Sequence, residues 1–563
     1  MKFKKLVALL TVTALSISML AGCGAKETEG SEVASAVSTE TTSRENVQPS
    51  EENKEPDKLT IWVPENIRIL DWETNKMTLW LEEQGNLDLE FVVLPAADYD
   101  TKVKMAMTVG DIKDLPDVIL TTSSPNVFKE SALNEYIAAG TILPLTEYYN
   151  NPELAVNINE AIERTGTDYT RQIISPDGEI YGIANFNQSY GVEYSDKMWI
   201  YKPWLDALGE DIPTTTEEYY QLLKKVSETD LNGNGKKDEI GLAGCTKRAG
   251  YIKYLMNSFV YAGDARYRVV EDGTLSYATV TEEWKEGLKY IRTLFEENLA
   301  LSESQTMDLD QFKSLLNSED NVVFSFVWQT AGDTERADDY ICINPLVGPE
   351  GVQYASYKNS SPSIRFGVTV NCENPEAAFR LGDLMCSEYL SISQRWGEEG
   401  VNWDYAENVK NADAYTAKVD GFDLYIVAYD DAAYWSGKDP QNASWLQVGP
   451  IVRQYGIANG VGINPDTVTQ ESLNQAAADT LYQTSGLAPE ETISTLLFND
   501  EEKEVIADVE STLQNFVDEF VATALSGNID IDAQWESYLK EIDKIGADAL
   551  LEVYQAAYDR MYK

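Results

Sequence analysis

Histidine is absent from all 563 residues. That absence excludes Ser-His-Asp and Cys-His catalysis, histidine general bases and His-ligated zinc in one step. Carboxylate-pair chemistry survives it, because two acids need no imidazole. Cysteine is scarce: five in all, of which Cys245, Cys342, Cys372 and Cys386 lie in the body without any CxxC spacing. So few thiols make no disulfide framework, and leave either buried free thiols or a single bridge. Basic residues are outnumbered, with Lys+Arg at 44 against Asp+Glu at 94 and a formal net charge of −50. Such a surface repels nucleic-acid phosphates and anionic membranes, which sets both aside as ligands. Against these shortages stand 12 Trp and 32 Tyr; flat rings with polar edges suit cores and sugar clefts alike. The length fits two lobes or domains better than one core.

The first residues read as an address. Lys2, Lys4 and Lys5 precede an apolar run from Leu6 to Met19 that is short for a membrane span. Residues 1–22 are therefore expected to be a signal peptide. Leu20-Ala21-Gly22-Cys23 resembles a bacterial lipobox, which implies cleavage before Cys23 and acylation of its sulfur with palmitate-type chains. Several acyl chains on one residue would anchor the protein stably to the extracellular face of the cell membrane. From Cys23 to residue 57 the chain is rich in Ser, Thr, Glu and Pro and has no aromatic residue. It cannot bury enough surface to fold, and as a flexible tether it would reach on the order of 30 Å.

Order is expected from Leu59. LTIWV alternates like a strand, and TNKMTLWLEEQ places Met77, Trp80, Leu81 and Gln84 at helical spacing. LDLEFVVL is a second strand, YDTKVKMAMTVG a helix with Val103, Ala106 and Met107 inward, and LPDVIL a third strand. This β-α-β-α-β order predicts an α/β fold with a parallel sheet. Ligands then bind beyond the carboxyl ends of the strands, here near Glu65, Asn66 and residues 121–126. Later, IPTTTEEYYQLLKKV carries a capping box, Thr215 with Glu218, and turns Tyr219, Leu222, Leu223 and Val226 to one face. VVFSFVWQ and SIRFGVTVN read as strands, PEAAFRLGDLMCSEYL as a helix, and the chain from about 466 onward as helical.

One stretch suggests a metal. DLNGNGKKDEIG, residues 230–241, offers Asp230, Asn232 and Asn234 at every second position, then the Lys236 carbonyl, Asp238 and Glu239. Gly235 permits the sharp turn that wraps a chain around an ion. Six to eight oxygens at flexible angles suit Ca²⁺, with Glu239 standing in for the acid an EF-hand places where Gly241 is. The competing reading is an Asn-Gly-Asn-Gly turn that only ends a helix.

Taken in order, DGEIYGI (177–183), DKMWIYKPWLDALGEDIPTTTEEYYQLLKKV (196–226), the 230–241 loop, NPEAAFRLGDLM (374–385), WGEEGVNWDY (396–405) and IDAQWESYLKEIDKIGADALLEVYQAAYDR (531–560) resemble a known family. It is the solute-binding lipoproteins of bacterial carbohydrate ABC importers, of the large type related to maltodextrin-binding proteins. The resemblance implies a monomer of two α/β lobes joined by crossover strands and closing on a solute for delivery to permease subunits. It also implies that the 230–239 loop is a structural calcium site. One lobe would comprise 58–183 and 344–395, the other 184–343 and 396–563, with crossings near Tyr181–Phe186, Ile343 and Trp396.

Residues expected at strand ends and crossovers are then the candidates for ligand contact. They are Trp62, Glu65 and Asn66; Ser123, Ser124 and Asn126; Asn187, Gln188 and Tyr190; Trp328 and Gln329; Ser360, Ser361 and Arg365; Trp403; and Asn442 and Trp445. Aromatic faces would stack on sugar rings, and amides and charged groups would bind hydroxyls. Each has a plainer reading: the tryptophans as core, Ser123 and Ser124 as helix caps, Arg365 paired with one of the many acids. The leading function is non-catalytic capture of an oligosaccharide or related solute. An extracellular glycoside hydrolase using two carboxylates and a peptide-binding receptor on the same fold are the alternatives.

Overall fold

Leu59, Ile61 and Val63 are buried on one face of the strand Asp57–Pro64, while Thr60 and Trp62 are half-buried on the other, the period-two pattern of a pleated strand. This is a computed structural model, and it describes residues 55–563 apart from 247–249, 319–321, 430–438, 467 and 494–495. The signal segment, Cys23 and nearly all of the tether lie outside the described residues. Asp57, expected in the tether, instead begins the first strand, held by the Arg380 guanidinium at 2.7 Å.

Asp57–Pro64 pairs in parallel with Leu87–Leu94 on one side and Val118–Leu120 on the other. The helices Lys76–Gly85 and Tyr99–Val109 make the two crossovers, as the alternation predicts. In the first of these Met77, Thr78, Leu81 and Gly85 are buried and Gln84 is exposed. Three later segments complete a six-stranded sheet in the order Val452–Arg453, Ile183–Asn187, Ser363–Val368, Val118–Leu120, Asp57–Pro64, Leu87–Leu94. Ser363–Val368 runs antiparallel to both its neighbours and Val452–Arg453 parallel to its own. One edge of the sheet therefore gathers the carboxyl ends at Pro64, Leu120, Asn187 and Arg453 with the amino end at Ser363.

A second sheet has the order Tyr340–Ile343, Lys197–Tyr201, Val323–Trp328, Ile240–Ala243. Lys197 lies opposite Trp328, and Met198 opposite Ile343. The chain thus enters and leaves this sheet on the side reached by the connections 188–196 and 344–362. The helix Thr216–Glu228 has the expected capping box, Glu218 N–H donating to Thr215 Oγ1 at 3.1 Å and Thr215 N–H to Glu218 Oε2 at 3.2 Å. Its buried face, with Trp284 and Phe324, shares a core with Trp535 and Tyr554 of the carboxyl-terminal helices. A small third sheet of Trp403–Tyr405, Ile426–Ala428, Val461–Ile463 and Thr416–Ala417 has its own core.

Two further features depart from the sequence reading. The expected single helix over residues 375–390 is two, Pro375–Met385 and Glu388–Trp396, because Ser387 caps the second through Leu390 N–H at 3.3 Å. Trp445, Val448 and Val452, expected with the second lobe, are buried in the core of the first sheet. Cys245, Cys342, Cys372 and Cys386 are unbridged, and burial pushes the Cys372 thiol up to about 12. No helix among the described residues is long and apolar enough to cross a membrane.

Trp445 packs against Trp72 and Phe91, with centroids at 5.7 and 5.4 Å, and donates its indole N–H to Thr78 Oγ1 at 2.9 Å. Trp445→Ala is therefore expected to cost about 3–5 kcal/mol and Thr215→Ala about 1 kcal/mol. Urea midpoints of the two variants check both, and an unchanged midpoint for Trp445→Ala would show that the ring is not core.

Candidate functional site

Polar side chains converge where the first sheet's strands end. Along Ile183–Asn187 the alternation places Asn185 and Asn187 on one face, with Ile183. Asn185 lies opposite Ser363, and Asn187 opposite Arg453. Asn126, beyond the end of Val118–Leu120, donates to Ser363 Oγ at 3.0 Å and fixes its own turn by accepting from Phe128 N–H at 2.9 Å. A register shift between Ile364 and Phe366 leaves Arg365 in a bulge, its carbonyl accepting from Thr121 N–H at 3.0 Å. Bulges re-aim a side chain at the rim of a sheet. Four buried side-chain atoms here have no hydrogen-bond partner among the described residues: Asn185 Oδ1, Asn187 Oδ1, Arg365 Nε and Arg453 Nε. Buried polar atoms are almost always satisfied, so a row of orphans at a strand-end edge marks a place built for polar groups from outside the chain.

Beside this edge lies an aromatic junction. Tyr190 stacks on Tyr455 with centroids 5.0 Å apart and meets Phe422 edge-on at 5.9 Å. Tyr194 contacts Tyr357 at 5.0 Å and Tyr482 at 5.7 Å. Glu193, fully buried, accepts from Ser360 Oγ at 2.7 Å and Tyr455 Oη at 2.8 Å. Burial raises its carboxyl above the ordinary value despite those two hydrogen bonds. The Asn187 carbonyl, 2.8 Å from Ser360 Oγ, shares that hydroxyl's one hydrogen with Glu193. Gln188 is turned away, its amide donating to the Thr165 carbonyl at 3.0 Å. Deeper still, Asp479 lies between Lys197 at 3.3 Å and Lys418 at 3.1 Å. Burial alone would raise its pKa, but the two ammonium groups outweigh that and hold it below the ordinary aspartate value.

The other expected residues divide. Glu65, Ser123 and Ser124 are exposed and Asn66 and Trp62 half-buried at the same edge. Asn66 Oδ1 caps a turn through Arg68 N–H at 3.1 Å. Trp328 and Gln329 end the central strand of the second sheet half-buried, Gln329 accepting from Gln475 one turn before Asp479. Ser361 is exposed, its hydroxyl on the Asn359 carbonyl. Trp403 and Trp445 are corrected: both are fully buried, Trp403 in the core of the third sheet with its indole N–H on the Gly397 carbonyl at 3.0 Å. Asn442 is structural, its amide donating to Thr74 at 3.0 Å and its Oδ1 accepting from Asp71 N–H at 3.2 Å. The sequence reading missed Asn185, Arg453, Glu193 and Tyr455. Only the Asn-x-Asn alternation of IANFN was a usable signal.

In the 230–239 loop, backbone N–H groups fold onto side-chain oxygens: Gly235 onto Asp230 Oδ2 at 2.9 Å, Asn234 onto Asn232 Oδ1 at 2.9 Å, Lys236 onto Asn234 Oδ1 at 2.8 Å. Gly233 and Gly235 take φ of 74° and 83°, the left-handed region that such a wrap demands. Asp238 accepts from both asparagine amides, Asn234 first, which holds its carboxyl below the ordinary value. Glu239 is buried; its Oε1 accepts from Leu231 N–H at 2.7 Å, and its Oε2 has no partner among the described residues. Among the described residues no group of three or more acidic, histidine or cysteine side chains is set to hold a metal. Asp230, Asp238 and Glu239 are therefore not drawn together around one point; it is the orphaned buried carboxylate oxygen of Glu239 that fits a cation.

No protein-family model matches the chain. It is 23% identical over 573 residues to the fructooligosaccharide ABC transporter substrate-binding protein FusA of Streptococcus pneumoniae, spanning 100% of this chain and 99% of FusA. The structure of FusA with kestose aligns at a TM-score of 0.68 and 19% identity, covering 90% of this chain and 99% of FusA. An HMO-binding, ABC-transporter-associated solute-binding protein from Bifidobacterium longum infantis aligns at 0.71 and 20% identity, with coverage of 90% and 99%. The fold is that of the solute-binding proteins. The resemblance read from the quoted segments is borne out by these relatives. A FusA EF-hand mutant with fructo-nystose aligns at 0.68 and 19% identity, over 90% of this chain and 99% of that one. The alginate-binding protein AlgQ2 without calcium ion aligns at 0.62 and 18% identity, over 90% and 98%.

Removing the Asp479 charge leaves the buried Lys197 ammonium and the half-buried Lys418 one without their anion. Asp479→Asn should cost about 3–5 kcal/mol at neutral pH. Because the folded-state pKa of Asp479 lies below the unfolded one, that stabilisation is complete above the unfolded value and is lost as pH falls through the folded one. Urea midpoints of parent and variant should differ most at neutrality and converge below about pH 4. A gap independent of pH would overturn the ion-pair account.

Proposed function

We propose that this protein captures an oligosaccharide at the carboxyl edge of the first sheet and passes it to the permease subunits of an ABC importer, without cleaving it. The observation that carries this is the row of unpartnered amide and guanidinium atoms along that edge. Sugar hydroxyls both donate and accept, so they can satisfy Asn185 and Asn187 as acceptors and Arg365 and Arg453 as donors at once. Tyr190 and Tyr455 stand next to these groups, and Trp328 ends a strand of the second sheet; such rings suit the apolar faces of sugars. Glu65, Asn66, Ser123, Ser124 and Asn126 extend the polar lining. Full-length similarity to a fructooligosaccharide-binding importer component supports a carbohydrate over a peptide.

In this reading the bodies built on the first and second sheets are the two lobes, closing about the segments 188–196, 344–362 and 453–455. The protein acts as a monomer, carried on a lipid at Cys23 by the 24–56 tether. Calcium belongs in the 230–239 loop, held by oxygens of Asp230, Asn232, Asn234, Asp238 and Glu239 and by the Lys236 carbonyl. There it clips the end of the helix Thr216–Glu228 to the strand Ile240–Ala243.

Binding to the folded state alone raises the thermal midpoint with ligand concentration. A panel of oligosaccharides should contain one class that raises the midpoint by several degrees and is recovered intact by chromatography. Recovery of hydrolysed sugar would instead make the protein an enzyme, and no shift with any sugar would remove carbohydrate as the ligand. Separately, a calcium chelator should lower the midpoint of the parent but not of Glu239→Gln; an indifferent parent would show that the loop is only a turn.

A further inference from the structure

Acids outnumber bases 94 to 44 in this chain, and its arginines generally find them. Arg268 meets Asp264 at 2.6 Å, Arg380 meets Asp57 at 2.7 Å, Arg560 meets Glu502 at 2.8 Å and Arg164 meets Glu388 at 3.5 Å. Arg365 and Arg453 are different. Neither has a carboxylate within ion-pair distance among the described residues, and the Nε of each is buried without a hydrogen-bond partner. Arg453 is only 6% exposed. It lies opposite Asn187, whose strand separates it from the bulge that carries Arg365.

The electrostatics report the same juxtaposition. Burial pulls Arg365 down to about 10, and burial together with the neighbouring charge of Arg365 pulls Arg453 down to about 10. Arg395, at the end of the helix Glu388–Trp396, is lowered by burial and then by Arg453. Arg365 and Arg453 remain cationic at neutral pH. Holding like charges together out of water costs several kcal/mol unless an anion compensates, and in a chain this acidic the missing carboxylate is conspicuous.

We propose that the ligand brings that carboxylate: the edge takes an oligosaccharide containing uronic acid, its carboxylate seated on Arg365 and Arg453 and the adjacent hydroxyls donating to Asn185 and Asn187. This rests on the reading of this edge as the oligosaccharide site and narrows it. Guanidinium groups suit the task, since their planar forks match a carboxylate and they shed water more readily than an ammonium does. Asparagine oxygens beside them accept from hydroxyls and would repel a second anion. The site is therefore shaped for a charged group with hydroxyls next to it rather than for a bare polyanion.

The test is calorimetric titration of the purified protein with tri-galacturonate, its methyl ester, kestose and inorganic sulfate. The acid should bind roughly 100-fold more tightly than the ester, because the ester leaves buried charge unpaired. Arg453→Gln and Arg365→Gln should each shrink that ratio to within a fewfold. Without ligand, Arg453→Gln should melt no lower than the parent, since it relieves repulsion, which separates lost recognition from lost folding. Equal affinity for acid and ester, or kestose binding that ignores both substitutions, would overturn the uronate while leaving oligosaccharide capture intact. Sulfate binding as tightly as the acid would overturn it in favour of a simple anion site. If no carbohydrate binds at all, the capture reading and this inference fall together.

Discussion

The antiparallel strand Ser363–Val368 lies between Val118–Leu120 and Ile183–Asn187, and most of what is functional here follows from its hydrogen bonds to both. It is laid down after the chain has built the second sheet and come back through residues 344–362. Its neighbours run the other way, so its first residues stand beside their last ones. That puts Ser363 within reach of Asn126 and opposite Asn185, and puts Arg365 at the rim. Were the strand parallel, the same edge would hold only strand ends, and the polar residues preceding Ser363 would emerge at the opposite edge. Its shift in register frees Arg365 from the ladder's in-and-out alternation.

Charge is distributed with the same economy. The surface is heavily acidic, while the interior keeps a few cations in two distinct states. Lys197 and Lys418 flank Asp479 and are neutralised within the chain. Arg365 and Arg453 have no such partner among the described residues. The first arrangement ties a helix to a sheet and is complete as it stands; the second is incomplete without something added. A folded chain tolerates such a deficit only where the remaining packing is strong enough to hold it, and here the surrounding first core supplies that, with Ile183, Phe186, Ile364 and Val452 among its members.

Much of the architecture was legible in the sequence because it is written in local terms. The alternation of LTIWV, the spacing of helical apolar residues and the Thr215–Glu218 box each depend on neighbours a few residues away. The break between Met385 and Glu388 was missed because one serine cap counts for little against continuous helical periodicity. The site was legible only in part. Strand ends pointed to Asn126, Asn187 and Arg365, but Arg453 comes to Asn187 from far along the chain through a two-residue strand too short to carry a pattern. Trp403 and Trp445 misled for a related reason: an indole in a polar stretch reads the same whether it faces a sugar or, as here, reaches back into a core. Only packing separates the cases.

Glu193 ties together parts of the chain that are otherwise independent. Through one carboxylate it holds Ser360, from the segment returning to the first sheet, and Tyr455, just past the last strand to join it, while itself belonging to the segment that leaves. Three connecting segments that share one buried knot cannot bend separately. In the proposed closure, one body could swing against the other only by turning all three together about Glu193 or by breaking its hydrogen bonds, which would confine that motion to a single axis. A carrier that opens and closes around its cargo gains from that confinement, because each closure returns the same walls to the same places.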